Sequence, residues 1–341
     1  MVRVAINGFG RIGRNFMRSA FGRSDFEIVA VNDLGSLDNL AYLLKYDSVY
    51  GRAPFEVEVM EGGLKVGGKE VKFLSEREPA KLPWKDLNID VVVESTGFFT
   101  KFGGAKQHMD AGAKRVVISA PAKDEPAESG VRGATVLMGV NHDQLATCDI
   151  SSNASCTTNA TSPVVAVLKE TIGIEKAILN TVHAYTATQS LVDGPAKKDL
   201  RSGRAAALNI IPATTGAAVA TTKAHIELEG KFDGIAMRVP VPVGSIVDLT
   251  FIAKRETTVE EINEALRKAA ADPRWKNILA ATDEPIVSTD IIGARVGSIA
   301  DLSFTRVVGG NLVKVLAWYD NETSYTQTLV EHVAEASKYI S

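Results

Sequence analysis

The stretch Gly8-Phe9-Gly10-Arg11-Ile12-Gly13 narrows the fold more than any other in this sequence. It follows an alternating apolar run over residues 1–6 and opens a segment with Ile12, Phe16 and Ala20 at helical spacing. Strand, glycine turn and helix in that order form a unit suited to a dinucleotide. Gly8 permits the tight turn, Gly10 lets the backbone approach a pyrophosphate, and Gly13 allows the helix to pack closely on the strand. Free N–H groups at the helix start then meet the phosphates. Asp33 closes the next apolar run, over residues 27–33. An acidic side chain there accepts hydrogen bonds from both ribose hydroxyls and repels a 2′-phosphate, so the motif favours NAD over NADP.

The pattern continues beyond this unit. A helix is expected near residues 37–44, and residues 57–74 carry a Gly67-Gly68 hairpin signal. Residues 89–94, 115–119 and 135–140 read as short, nearly continuous apolar strands. Such strands, alternating with helices, imply a parallel sheet covered on both faces. After about residue 150 longer alternating segments appear, at 177–185, 234–241, 246–253 and 311–319. These read as an antiparallel sheet with helices on one side. Residues 324–338 read as a helix with Leu329, Val330, Val333 and Ala336 on one stripe. The expected fold class is α/β. A Rossmann-type parallel-sheet domain takes residues 1–154 and is completed by a C-terminal helix, 322–341. An α+β catalytic domain with a mostly antiparallel sheet takes residues 155–321.

A net charge of −3 provides no overall basic field to draw in nucleic acid or a membrane surface, so anionic ligands must be held by local groups. Cys148 and Cys156 form no metal signature and are too few for a disulfide framework, which fits a reducing, cytoplasmic setting. The opening MVRVAING runs straight into a strand pattern rather than a secretory leader, and no apolar run is long enough to cross a bilayer.

Cys156 has Asn153, Ser155, Thr157, Thr158 and Asn159 around it, not the apolar neighbours of a packed thiol. It precedes a helical pattern with Pro163 near the expected start. A thiol at a helix N-terminus feels the positive end of the dipole, which favours thiolate. Beside a dinucleotide domain, that suggests covalent aldehyde oxidation, because a hemithioacetal gives up hydride far more readily than the aldehyde does. The chemistry also needs a base. Of His108, His142, His183, His225 and His332, His183 shares a strand face with Leu179, Thr181 and Tyr185. Spacing alone leaves open whether it is structural or the partner of the thiol.

The blocks SNASCTTN, HAYTATQ, GRAAALNIIPATTGAA, MRVPVP and WYDNET closely resemble the phosphorylating (type I) glyceraldehyde-3-phosphate dehydrogenases, and the likeness runs from INGFGRIGR to the final helix. The resemblance implies that Cys156 is the nucleophile and His183 its base, acting through hemithioacetal, hydride transfer, thioester and attack by inorganic phosphate. It implies a substrate-phosphate pocket of Arg238 and Thr186, and an attacking-phosphate pocket of Ser155, Thr157, Thr215 and Gly216. For NAD it implies Gly8, Gly10, Arg11, Ile12, Gly13, Asp33, Arg77 and Ser119, with Asn321 on the nicotinamide carboxamide. The loop over residues 187–204 resembles one that packs against a neighbouring subunit, implying a homotetramer.

The chain departs from the family pattern at four places. Ala160 replaces a common second cysteine, Ser324 a usual glycine and Val219 a frequent lysine. Ser202 stands where some relatives have an arginine, leaving Arg201 or Arg204 to serve the phosphate pocket. Two other readings compete: erythrose-4-phosphate dehydrogenase, which shares thiol and fold, and a non-catalytic NAD-binding protein. Retention of both Cys156 and His183 counts against the second.

Overall fold

The computed structural model describes residues 1–196 and 199–340, and they form two compact units, 1–154 with 329–340, and 155–196 with 199–328. Lys197 and Lys198 of the 187–204 loop, and Ser341 of the C-terminal segment, lie outside the described residues.

The first unit runs β1 (Val2–Asn7), α1 (Arg11–Ala20), β2 (Phe26–Asn32) and α2 (Leu37–Lys45), then a small ribbon of β3 (Tyr46–Asp47) and β4 (Gly51–Arg52). It continues with β5 (Val57–Met60), β6 (Gly63–Val66), β7 (Lys69–Leu74), β8 (Val91–Glu94), α3 (Phe102–Asp110), β9 (Arg115–Ile118), α4 (Pro126–Ser129), β10 (Gly133–Thr135) and β11 (Ile150–Ser152). Among the described residues its sheet has the order β10-β11-β9-β8-β1-β2-β7-β6-β5. Pairings from β10 to β7 are parallel, and only the β5-β6-β7 edge is antiparallel. The central strands carry Val4, Ile6, Val31 and Val91 to Val93, all buried, because helices cover both faces. β1 lies between β2 and β8, with Asn7 in register with both Asn32 and Glu94. Strand order reverses there, and the carboxyl ends at such a switch point leave a crevice.

The second unit runs α5 (Cys156–Thr171), β12 (Ile174–Ala184), β13 (Ile211–Thr214), α6 (Ala217–Ala224), β14 (Phe232–Val239), β15 (Ser245–Ala253), α7 (Val259–Ala270), β16 (Leu279–Thr282), β17 (Ser298–Val308) and β18 (Leu312–Tyr319). The last helix, α8 (Thr323–Ser337), carries the division between the units. Sheet order is β13-β14-β12-β15-β18-β17-β16, with β12–β14 and β16–β17 parallel and the other pairings antiparallel. Along β15 buried and half-buried residues alternate, as a strand with one inward face requires. α5 is buried on every side from Thr157 to Leu168, which explains its weak amphipathic pattern.

Two expectations need correction. The strand expected over residues 135–140 ends at its first residue: the sheet keeps only Gly133–Thr135. Val136 and Leu137 are buried outside the strand and lead into a turn over residues 138–140, with the Leu137 N–H donating to Asn141 Oδ1 (2.8 Å) and Gly139 at φ +77°. Pro163 does not mark the start of α5. The helix begins at Cys156, where Ser155 Oγ accepts the Thr158 N–H at 3.1 Å as N-cap, and Pro163 lies inside it. No helix among the described residues is long and apolar enough to cross a membrane.

Candidate active site

At the carboxyl ends of β1, β2 and β8 the first unit opens into a cavity of about 480 Å³. Gly8, Gly10, Asp33 and Arg77 line it. Gly8 has φ +95°, and a Cβ there would lie 2.6 Å from the Thr96 backbone nitrogen. A Cβ on Gly13 would strike the Gly8 carbonyl, so α1 can approach β1 only without one. Gly10 faces open space and starts α1 with no side-chain cap, leaving first-turn N–H groups for an anion. Asp33 Oδ2 accepts the Phe9 N–H at 2.6 Å, and Oδ1 that of Gly35 at 2.8 Å. These features fit a dinucleotide.

Other expected cofactor residues stand apart from this lining. Arg11 turns to Asp47 at 3.0 Å, and Ile12 packs against the core. Ser119 continues β9 and donates its N–H to the Glu94 carbonyl at 2.9 Å.

Sequence reasoning missed the polar floor of the cavity. Asn7 Nδ2 donates to Glu94 Oε2 at 2.6 Å, and Asn32 Nδ2 to Asn7 Oδ1 at 2.7 Å. Glu76 N–H donates to Asn32 Oδ1 at 2.8 Å. Beneath them Trp84 Nε1 donates to His108 Nδ1 at 3.0 Å, so His108 carries its proton on Nε2, 3.0 Å from Glu94. The available signal was an asparagine or glutamate ending each of three apolar strands.

In the second unit, α5 and β12 bring Cys156 Sγ and His183 Nε2 to 3.4 Å. His183 Nδ1 lies 2.6 Å from the Ala184 carbonyl, which can only accept. The tautomer that satisfies this carbonyl carries its hydrogen on Nδ1 and presents the Nε2 lone pair to sulfur, whereas Arg238 Nη1, which can only donate, favours the opposite one. Arg238 is the register partner of His183 on β14, and its Nη1 lies 2.5 Å from Nδ1 while donating to Ala184 O at 3.0 Å. Burial, then this cation, pushes the imidazole down to about 3. The thiolate expected from the helix start is opposed here by loss of water. Burial pushes the Cys156 thiol up, against the opposing pull of Arg238 and of the Thr157 N–H.

Most of the remaining expected residues are shown only in local contacts of their own. Thr157 Oγ1 meets Tyr319 OH at 2.8 Å. Thr186 Oγ1 bonds Thr188 Oγ1 at 2.9 Å, and Thr215 Oγ1 accepts the Ala217 N–H at 3.2 Å beside Gly216, which precedes α6. Asn321 Oδ1 accepts from Gly244 N–H (3.1 Å) and Ser245 Oγ (3.2 Å), leaving its NH₂ as the donating end. Arg201 and Arg204 are both exposed and paired within the loop, to Asp199 at 3.1 Å and Asp193 at 2.8 Å.

Comparison with known proteins decides the family. Residues 2–102 match the glyceraldehyde 3-phosphate dehydrogenase NAD binding domain, and residues 155–321 match the C-terminal domain of the same enzymes. The chain is 52% identical over 333 residues to the glyceraldehyde-3-phosphate dehydrogenase of Streptomyces coelicolor, covering 97% of both chains. It is 51% identical to that of Geobacillus stearothermophilus, over 98% of this chain and 97% of the relative. The chain belongs to the glyceraldehyde-3-phosphate dehydrogenase family. The Mycobacterium avium glyceraldehyde-3-phosphate dehydrogenase is also 51% identical, over 99% of each chain. The glycine turn, Asp33 and Arg77 thus lie in the family's NAD binding domain, and Cys156, His183 and Arg238 in its C-terminal domain.

Proposed function

We propose that the chain oxidises D-glyceraldehyde 3-phosphate to 1,3-bisphosphoglycerate with NAD and inorganic phosphate, as a step of glycolysis or gluconeogenesis. One observation carries the reading: a helix-start thiol 3.4 Å from a buried imidazole nitrogen, in a chain of this family. Cys156 forms a bond from sulfur to the aldehyde carbon as its proton passes to His183 Nε2 and on to the new hydroxyl. N–H groups of the first turn of α5, that of Cys156 included, stabilise the developing oxyanion. NAD, when bound, supplies the hydride acceptor for conversion of this thiohemiacetal to a thioester. His183 takes the hydroxyl proton in that collapse. Phosphate oxygen then attacks the thioester, the carbon–sulfur bond breaks, and the departing thiolate recovers a proton.

Gly8, Gly10, Arg11, Ile12, Gly13, Asp33, Arg77, Ser119 and Asn321 are assigned to NAD. Arg238 and Thr186 are assigned to the substrate phosphate, and Ser155, Thr157, Thr215 and Gly216 to the attacking phosphate. Support for the second pocket comes from hydroxyls and helix-start N–H groups, which hold phosphate without a large positive field. Arg201 and Arg204 receive no assignment, since each is held by a loop carboxylate. Residues 1–154 with the 322–341 segment form the NAD-binding domain of this proposal, and 155–321 the catalytic domain.

The deciding experiment follows NADH formation from glyceraldehyde 3-phosphate with and without inorganic phosphate, in parallel with NAD and NADP. Turnover should require phosphate and favour NAD by about tenfold or more. Turnover that ignores phosphate and prefers erythrose 4-phosphate would reassign the chain to that sister activity. NAD binding without turnover of either aldehyde would leave only a binding role.

The proposal places the enzyme in the cytoplasm as a homotetramer. Leu191, Val192, Leu200, Leu208 and Ile210 are all at least 70% exposed, apolar side chains of one stretch of chain that a neighbouring copy would cover. Light scattering should give a mass near four chains of 36.4 kDa, and a monomer at micromolar concentration would refute it.

A further inference from the structure

Tyr319 is the last residue of β18 and is 1% exposed. Its hydroxyl meets Thr157 Oγ1 at 2.8 Å and Thr181 Oγ1 at 2.8 Å. Thr157 directly follows the Cys156 thiol in the first turn of α5. Thr181 lies two residues before His183 on the same face of β12. The ring itself stands edge-on to the His183 imidazole, centroids 5.9 Å apart. One buried phenol is therefore bonded to the element that carries the sulfur and to the element that carries the base.

We propose that Tyr319 is a positioning residue that ties the start of α5 to β12 and thereby sets the approach of Cys156 Sγ to His183 Nε2. A phenol has one proton to donate and lone pairs to accept, so it can serve two hydroxyls at once, while a phenyl ring can serve neither. Burial pushes the phenol's ionisation up, which keeps the proton on its oxygen. The 3.4 Å separation leaves little slack: sulfur and nitrogen a further ångström apart no longer share a proton. The catalytic meaning of the bridge rests on the proposed function, but its effect on the thiol does not.

The test measures alkylation of Cys156 by iodoacetamide across pH in the intact, ligand-free protein, read by mass spectrometry so that buried Cys148 is scored separately. His183, Arg238 and Tyr319 are the titratable or charged groups that face the thiol, from β12, β14 and β18. Tyr319→Phe keeps the ring contact and removes both hydrogen bonds. Alkylation at neutral pH should fall about tenfold and its apparent midpoint should move upward, because the imidazole no longer stands where it can take the proton as the thiol reacts. Thr181→Val cuts the base-side bond, together with the Thr181 hydroxyl's bond to the Ile246 carbonyl at 3.3 Å, and should give a smaller change of the same sign, which covers the case in which Tyr319→Phe does not fold. A purely structural tyrosine would lower the melting temperature of either variant and leave the pH profile of alkylation superimposable on wild type, and that result overturns the proposal. Wild-type protein that turns over no aldehyde, yet whose alkylation responds to these substitutions, would sink the proposed function and leave the bridge standing.

Discussion

At Cys156 a helix start and a buried pocket pull in opposite directions. The dipole, the Thr157 N–H and Arg238 favour charge on sulfur, but loss of water outweighs them and the thiol is pushed up. His183 is the compensation, since a neutral imidazole with its lone pair on sulfur can remove the proton when the carbonyl arrives. Cys156→Ser replaces sulfur with an oxygen that is far harder to ionise. Turnover should fall by about a thousandfold or more, while NAD titrates to nearly the wild-type affinity, because the glycine turn and Asp33 are untouched. A serine variant retaining a tenth of wild-type kcat would refute covalent catalysis. The polar neighbours of Cys156 announced an unusual thiol, and alternation put His183 on a strand face. Their meeting was invisible in sequence, because it depends on the lateral order β14-β12-β15 and on the His183–Arg238 register.

Elements with one dominant local signal were the legible ones. β1, the glycine turn and α1 agree because periodicity, glycine chemistry and helix start all point the same way. Gly67-Gly68 likewise joins β6 to β7, with both glycines at positive φ. Elements set by tertiary contact were not legible. β11 is three residues, Ile150–Ser152, and two of them are serines that no alternation rule would choose. It is a strand because β9 and β10 flank it and satisfy its backbone. The start of α5 was misplaced for a related reason. Pro163 forfeits one helical hydrogen bond, a local stop signal, yet burial from Thr157 to Leu168 carries the helix through it.

Three buried histidines, His183, His225 and His332, are held in the neutral form, and this couples the stability of both units to pH. His332 lies in the first unit, 2.7 Å from Ser151 Oγ and 3.0 Å from Asn153 Oδ1, and burial pushes it from the ordinary 6.5 down to about 3. His183, also pushed down to about 3, and His225, down to about 4, lie in the second unit. Each has a lower pKa folded than unfolded, so between those values the unfolded chain binds protons that the folded chain refuses. Their contribution is therefore complete above about pH 6.5 and is lost as pH falls towards the folded values. At pH 5 each costs about 2 kcal/mol relative to neutral pH. The melting temperature of the ligand-free protein should be flat from pH 8 to 7 and then fall on the order of 10 °C by pH 5. Replacing His332 with Gln, an amide that does not titrate, should flatten that fall, even if the variant starts from a lower melting temperature at pH 7.5. A wild-type profile level down to pH 5 would mean that these imidazoles open to water before the fold does, and the neutral pairing of His183 with Cys156 would then fail along with it.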